Sequence, residues 1–264
     1  VVVGALALLA WPHGGDGGGG GPLNAIAAAA EKTQQEPGGR ALMHAIATVP
    51  GKSEPITMTG TMVYDADGRT QSVITVPHTV KGDSMTLESV SDGTTVYMHS
   101  DQFGSLPGGA KWMMLDFSFG DDVHSPVPAN VDAKGELALL EAAGDDVRKL
   151  GKEDVRGVPT THYSGTVSPA DQTEQLHKEG ADTVASIAEK DGSPLRVEAW
   201  IDAEGLVRRM RLVHEASGDG RGAIDMRMDF IDLGIEPEIE VPNSSEVFDA
   251  TEMAQEKLGL SDDG

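Results

Sequence analysis

No cysteine occurs in these 264 residues, so disulfides, thiolate nucleophiles and Cys-ligated metal centres are excluded. Basic residues are few: Lys plus Arg is 20 against 43 Asp plus Glu, a formal charge of −23. Such a balance argues against nucleic acid, whose affinity comes mostly from cations on phosphates. It argues equally against a polybasic grip on anionic headgroups. An acidic, solvated surface that keeps the chain soluble is the plain reading. Aromatics stand at only 4%, while the hydrophobic share of 39% is too high for a wholly disordered chain. Long apolar runs are also short supply. The longest, Val1–Trp11, is too brief as it stands to cross a bilayer.

Motifs that announce catalysis are missing as well. The histidines at 13, 44, 78, 99, 124, 162, 177 and 214 stand in no metal-binding spacing. His162, beside Tyr163, falls in the middle of an expected strand and reads as structural. No G-x-S-x-G turn surrounds a serine. The glycine tract Gly14–Gly21 lacks the Lys-Ser/Thr of a phosphate loop. Carboxylate pairs carry no signal in a chain this acidic. The reading is of a non-enzymatic protein with no catalytic residue, no metal site and no cofactor.

What is present is alternation. Ser193–Gly234 reads as three antiparallel strands, Leu195–Asp202, Leu206–Glu215 and Gly222–Leu233. Leu195, Val197, Ala199 and Ile201 oppose Arg196, Glu198 and Trp200; Ile224, Met226, Met228 and Phe230 oppose Asp225, Arg227 and Asp229. In the middle strand Leu206, Arg208, Met210 and Leu212 oppose Val207, Arg209, Arg211 and Val213, a less clean pattern. Arg209 and Arg211 would share the wet face with Glu198, Asp225 and Asp229, an arrangement for cross-strand ion pairs.

Upstream, Pro22–Thr33 has helical spacing, and six strands follow: Arg40–Val49, Ile56–Tyr64, Thr70–Val76, Ser84–Val90, Thr94–His99 and Lys111–Phe117. An irregular loop is expected over Gly120–Asn130 and a helix over Asp132–Ala143. A hairpin Val147–Val155/Val158–Val167 and a longer helix over Asp171–Lys190 come next. Ala250–Leu258 reads as a short terminal helix. The class is α+β: a strongly curved antiparallel half-barrel of about eleven strands, its concave face covered by helices. Residues 1–21 read as a signal or anchor remnant with a Gly-rich tether, 22–258 as one domain and 259–264 as a tail.

Methionine is plentiful at 11 residues, and most of them fall in expected strands. Methionine suits surfaces that accept apolar partners of variable shape, and it equally fills irregular gaps in an ordinary core. Both readings stand at this point. If the dry face is a cavity, Ile56, Met58, Met62, Met85, Leu87, Met98, Met210, Met226 and Met228 would line it. Helices near Leu23–Ala30 and Leu137–Leu140 would form its lid. A one-residue slip in register would invert this assignment.

The strings VRGVPTTHY (155–163), VEAWIDAEGLVRRM (197–210) and MRMDFIDLG (226–234) carry a resemblance, with MTLESVSDGTTVYM (85–98) and KWMMLDF (111–117). Over about Leu23 to Val247 the chain resembles the LppX/LprAFG family of actinobacterial envelope lipoproteins, relatives in fold of the LolA/LolB carriers. The resemblance implies a half-barrel enclosing an apolar cavity for acylated lipids or glycolipids, and service between membranes, with an inner-membrane transporter among the partners. It implies a monomer exported to the cell envelope and membrane-associated or secreted, and no enzymatic residues. The family's acylated lipobox cysteine has no counterpart here. An envelope sensor or scaffold that uses the same half-barrel to bind a protein is the alternative reading.

Overall fold

A computed structural model describes residues 22–48, 54–77, 84–92, 95–116, 140, 143, 146–171, 174, 192–214 and 223–258. The expected segments 1–21, 120–130 and 259–264, and most of 132–143 and 171–190, lie outside them.

Twelve strands make one open sheet: β1 Gly38–Thr48, β2 Ile56–Asp65, β3 Thr70–Val76, β4 Met85–Asp92, β5 Thr95–His99, β6 Trp112–Asp116, β7 Arg148–Val155, β8 Val158–Val167, β9 Leu195–Asp202, β10 Val207–His214, β11 Ala223–Leu233 and β12 Val247–Asp249. Their spatial order is β12-β6-β5-β4-β3-β2-β1-β11-β10-β9-β8-β7. Two arms therefore meet at the β1–β11 pair. One runs outward through β2 to β6, the other through β10 to β7.

Eleven strands were expected, and each is found within two residues of its expected ends. The twelfth is β12, which pairs with β6 in parallel, so the sheet is not wholly antiparallel. Three residues are too few to show alternation, and a parallel partner 135 residues upstream leaves no turn signal. The architecture is mostly sheet. The α-helices described along their whole length are α1 (Pro22–Gln34) and α2 (Thr251–Leu258).

Local chemistry explains the elements. Proline opens α1 where a missing N–H costs nothing, and alanines fill its body. Ile26, Ala29, Ala30 and Thr33 recur at helical spacing and are buried. Two hairpins use the same device. Asp65 accepts the Arg69 backbone N–H at 2.9 Å, and Asp202 accepts those of Glu204 and Leu206 at 2.9 Å. In both turns a glycine takes a positive φ, Gly68 at 84° and Gly205 at 80°, where a side chain would be strained. In both, an arginine after the turn returns to the aspartate, Arg69 to Asp65 and Arg208 to Asp202.

The middle strand of the opening trio departs from the expected alternation. A bulge at 207–209 places Val207 opposite Ile201 and Arg209 opposite Trp200. Val207 thereby joins Met210 and Leu212 in the core, and Arg208 is turned out of the apolar face. Thr33 Oγ1 accepts the Val207 N–H at 2.9 Å while donating to the Ala29 carbonyl, and Lys32 reaches the Glu204 carbonyl. The end of α1 is thus pinned to the turn side of β10.

Candidate ligand-binding face

Register defines the candidate site. One row across the sheet reads Tyr163, Ala199, Met210, Met228, Met43, Gly60, Ile74 and Leu87, each opposite the next. The next row reads Phe230, Ala41, Met62, Ser72, Ser89, Met98, Met113 and Phe248. A third reads Val197, Leu212, Met226, Ala45 and Met58. Ile56 lies opposite Ala47, and Met85 opposite Val76. All nine expected lining residues therefore belong to one face of the sheet, because directly opposed residues point the same way.

That face is not covered evenly. α1 packs over the β7–β10 side, with Ile26, Ala29 and Ala30 in one apolar cluster with Met210, Met226, Met228 and Phe230. Met210, Met226 and Met228 are buried there, as is Met62 on β2. Leu140 and Ala143, from the link that carries the chain from β6 to the far edge at β7, are buried in the same cluster. Leu140 belongs to the lid expected over 137–140, and its place against this face agrees with that role; Leu137 lies outside the described residues. Met98 is buried in a second cluster with Val96, Leu115 and Ala250, packed by Leu87, Met113 and Phe248.

At the margins of the two clusters the face is less buried: Ile56, Val76 and Met85 are half-buried, as are Met58 and Ile74 packed against the first cluster and Leu87 against the second. Beside them Thr70, Ser72, Ser89 and Ser91 are buried, with Ser72 and Ser89 sharing a hydrogen bond of 2.8 Å between their hydroxyls. Glycines allow close packing on this face. A Cβ on Gly60 would come within 2.7 Å of the Val73 carbonyl, and one on Gly39 would strike the Tyr64 ring. Burial pushes the Tyr64 hydroxyl well above the usual tyrosine range, helped by the charge of Glu36, so it stays protonated.

The opposite, convex face has a different chemistry. Arg209 makes a fork on Asp229 with contacts of 2.6 and 2.9 Å, and Arg156 adds a third at 2.9 Å. Burial would raise the Asp229 pKa, but these guanidinium bonds and the charges of Arg209 and Arg227 outweigh it and hold the carboxyl low. Arg211 bonds Asp225 at 2.8 and 2.7 Å and approaches Glu198 at 3.6 Å. The Arg211 hydrogen bonds are the main reason the Asp225 carboxyl lies low. The ion pairs expected of Arg209 and Arg211 are therefore present, with the partners expected.

A neighbouring group escaped the sequence reading. His162 stacks on Trp200 with centroids 4.0 Å apart, and Glu153 accepts from Trp200 Nε1 at 2.8 Å while meeting His162 Nδ1 at 2.9 Å. The Trp200 bond, then the His162 bond, lowers the Glu153 carboxyl. The signal was available: the Arg156-Gly157 turn fixes β7 against β8, which sets Glu153 opposite Thr160 and beside His162. This group ties β7, β8 and β9 together and faces away from the apolar rows. Among the described residues no group of three or more His, Asp or Glu is placed to hold a metal.

No family model matches the chain. An uncharacterised 31.2 kDa protein of Streptomyces griseus, from the rplA-rplJ intergenic region, is 29% identical over 168 residues, covering 59% of this chain and 53% of that protein. The chain thus spans about half the length of this curated relative. Among solved structures it is similar to LprF from Mycobacterium bovis, at 16% identity and a TM-score of 0.48, over 84% of this chain and 97% of that one. It is also similar to the lipoprotein LppX from Mycobacterium tuberculosis, at 13% identity and a TM-score of 0.49, over 83% and 98%.

Proposed function

We propose that this chain is a non-enzymatic lipid-binding or carrier protein that holds acyl chains against the concave face of its sheet. The observation that carries the reading is the half-buried apolar band of Ile56, Met58, Met85 and Leu87, continuous by register with buried Met62, Met98, Met210, Met226 and Met228. Each acyl methylene buried there contributes about 0.8 kcal/mol. Methionine supplies an apolar lining that adapts to chains of different shape. A polar headgroup would stay at the mouth, because burying it without partners is costly. The acylated lipid or glycolipid, the place in the cell envelope and the inner-membrane transporter belong to this reading through the sequence resemblance. The apolar run Val1–Trp11 supports export.

Residues 22–264, purified gently and extracted with organic solvent, should yield lipid near one equivalent by mass spectrometry. Replacing Met85 and Leu87 by aspartate should remove that lipid while leaving the circular dichroism unchanged. A lipid-free wild-type protein that also fails to take up a fluorescent acyl probe would transfer the face to a protein partner.

A further inference from the structure

We propose that the inner end of the concave face, at Tyr64 and the Ser72–Ser89 pair, is a subsite for a neutral oxygen function, a hydroxyl or carbonyl, carried within the acyl ligand. It rests on the lipid-binding reading of this face and names the kind of acyl chain selected. Burial and hydroxyl content rise together along three neighbouring strands. β2 passes from half-buried Ile56 and Met58 to buried Met62 and Tyr64. β3, followed from its far end, passes from half-buried Val76 and Ile74 to buried Ser72 and Thr70. β4 passes from half-buried Met85 and Leu87 to buried Ser89 and Ser91. Register sets the inner residues side by side, with Ser72 opposite Ser89 and Thr70 opposite both Tyr64 and Ser91. An ordinary core has the reverse gradient, with its polar groups where water reaches them.

Two of these groups hold a hydrogen to spare. Tyr64 Oη is enclosed and has no hydrogen-bond partner among the described residues. It stands over Gly39, where a Cβ would strike it, so the fold makes room for this hydroxyl. Burial and the charge of Glu36 both oppose its ionisation, which keeps it a donor. The bond between Ser72 and Ser89 uses one of their two hydroxyl hydrogens and leaves the other for an acceptor. The backbone beneath is engaged in the ladders that join β2, β3 and β4. A buried donor without an acceptor is costly, and phenylalanine or alanine would fill these positions without that cost. Met62, opposite Ser72 and two residues before Tyr64, lies between the two donors, and Met98 stands opposite Ser89. Both side chains are flexible enough to yield to a chain.

The surroundings select a neutral partner. Glu36 sets negative charge near the phenol and the chain as a whole carries −23, so a carboxylate or phosphate is repelled. Stripping water from an ionised group at positions this buried would cost more than the hydroxyls return. A hydroxyl or carbonyl oxygen accepts from Tyr64 or from the serine pair and brings no charge. A plain saturated chain covers the outer rows at Ile56, Met58, Met85 and Leu87 equally well but leaves both donors unanswered. A charged headgroup therefore stays at the mouth, while an oxygen within the chain reaches the inner end.

Displacement of a fluorescent acyl probe from the full chain, by stearic acid and by its mid-chain and terminal hydroxy and keto derivatives, tests the subsite. At least one oxygenated derivative should bind about fivefold more tightly than stearic acid. Tyr64→Phe combined with Ser72→Ala and Ser89→Ala should abolish that preference, with the affinity for stearic acid changed by less than about twofold. Tyr64→Phe alone, which removes a single oxygen, should already lower the preference and keep the wild-type circular dichroism spectrum and melting temperature. A wild-type chain that binds stearic acid and every derivative alike would overturn the subsite and leave the lipid reading standing. So would variants that keep the preference, as when Tyr64 and the serines are satisfied by internal water. Failure of the probe and of every acid to bind would overturn the lipid reading, and the subsite with it.

Discussion

On the β7–β11 arm Met210, Met226 and Met228 are buried beneath α1, and the convex side behind them is laced by arginine–aspartate pairs. On β2 to β4 Met58, Met85, Ile74 and Leu87 face the same way but are only half-buried, and the convex side behind them presents Thr59, Thr75 and Thr86 in register. One ladder of hydrogen bonds joins the two. On the proposed reading a single apolar face performs two tasks: where a helix is pinned on it by Thr33 and Lys32 it is core, and where the described residues leave it half-buried it would take a guest. Stability and binding should therefore separate by position along one row of residues.

The largest effect should come from placing a charge on the covered arm. Met228→Asp sets an unpaired carboxylate at a fully buried position, and urea denaturation should show a loss of about 4 kcal/mol or more, or no folded protein. The matching change on the open stretch, Met85→Asp, should cost less than about 1 kcal/mol, since that side chain reaches water. Equal losses at the two positions would break the comparison.

Asp229→Ala should come next, at about 2 kcal/mol, because it strips the carboxylate that Arg209 and Arg156 share. Both arginines reach solvent, which keeps the figure below that for a fully enclosed pair. The pH dependence has a definite sign. Asp229 and Asp225 lie below their ordinary value in the folded state, so the unfolded chain binds protons first as acid is added. Their contribution is fully present above the ordinary aspartate value of about 3.9 and is lost as pH falls through the lower folded values. Asp229→Ala should flatten the acid limb of the stability curve. An unchanged limb would show that the pairs contribute little.

A smaller loss, about 1–2 kcal/mol, is expected for Thr33→Val, which leaves the bulge N–H of Val207 without its acceptor. The same variant should leave the half-buried stretch on β2–β4 intact, so acyl-probe affinity should change little while the melting temperature falls.

Much of this was legible in the sequence because it is local. Period-two alternation located eleven strands, and the two Asp-Ala-x-Gly turns set two of their hairpins. Those two signals together fixed which residues share the concave face, and the same alternation opposed Arg209 and Arg211 to Asp229 and Asp225. What escaped depends on contacts that no local pattern encodes. The bulge at 207–209 answers to Thr33 on α1, 174 residues away in sequence. The three residues of β12 are a strand only because β6 lies beside them. The uneven cover over the concave face follows from where α1 docks, which alternation within the strands does not encode.

Methionine methyl NMR tests the central claim most directly, because methionines mark both faces of the sheet. Titrating 13C-methyl-labelled protein with a long-chain acyl lipid should shift the resonances of Met58, Met62 and Met85 on the concave rows. Met114, opposite Tyr97 on the other face, and exposed Met253 should stay in place. Shifts at Met114 and Met253 with none at Met58 and Met85 would contradict the account and place the ligand elsewhere.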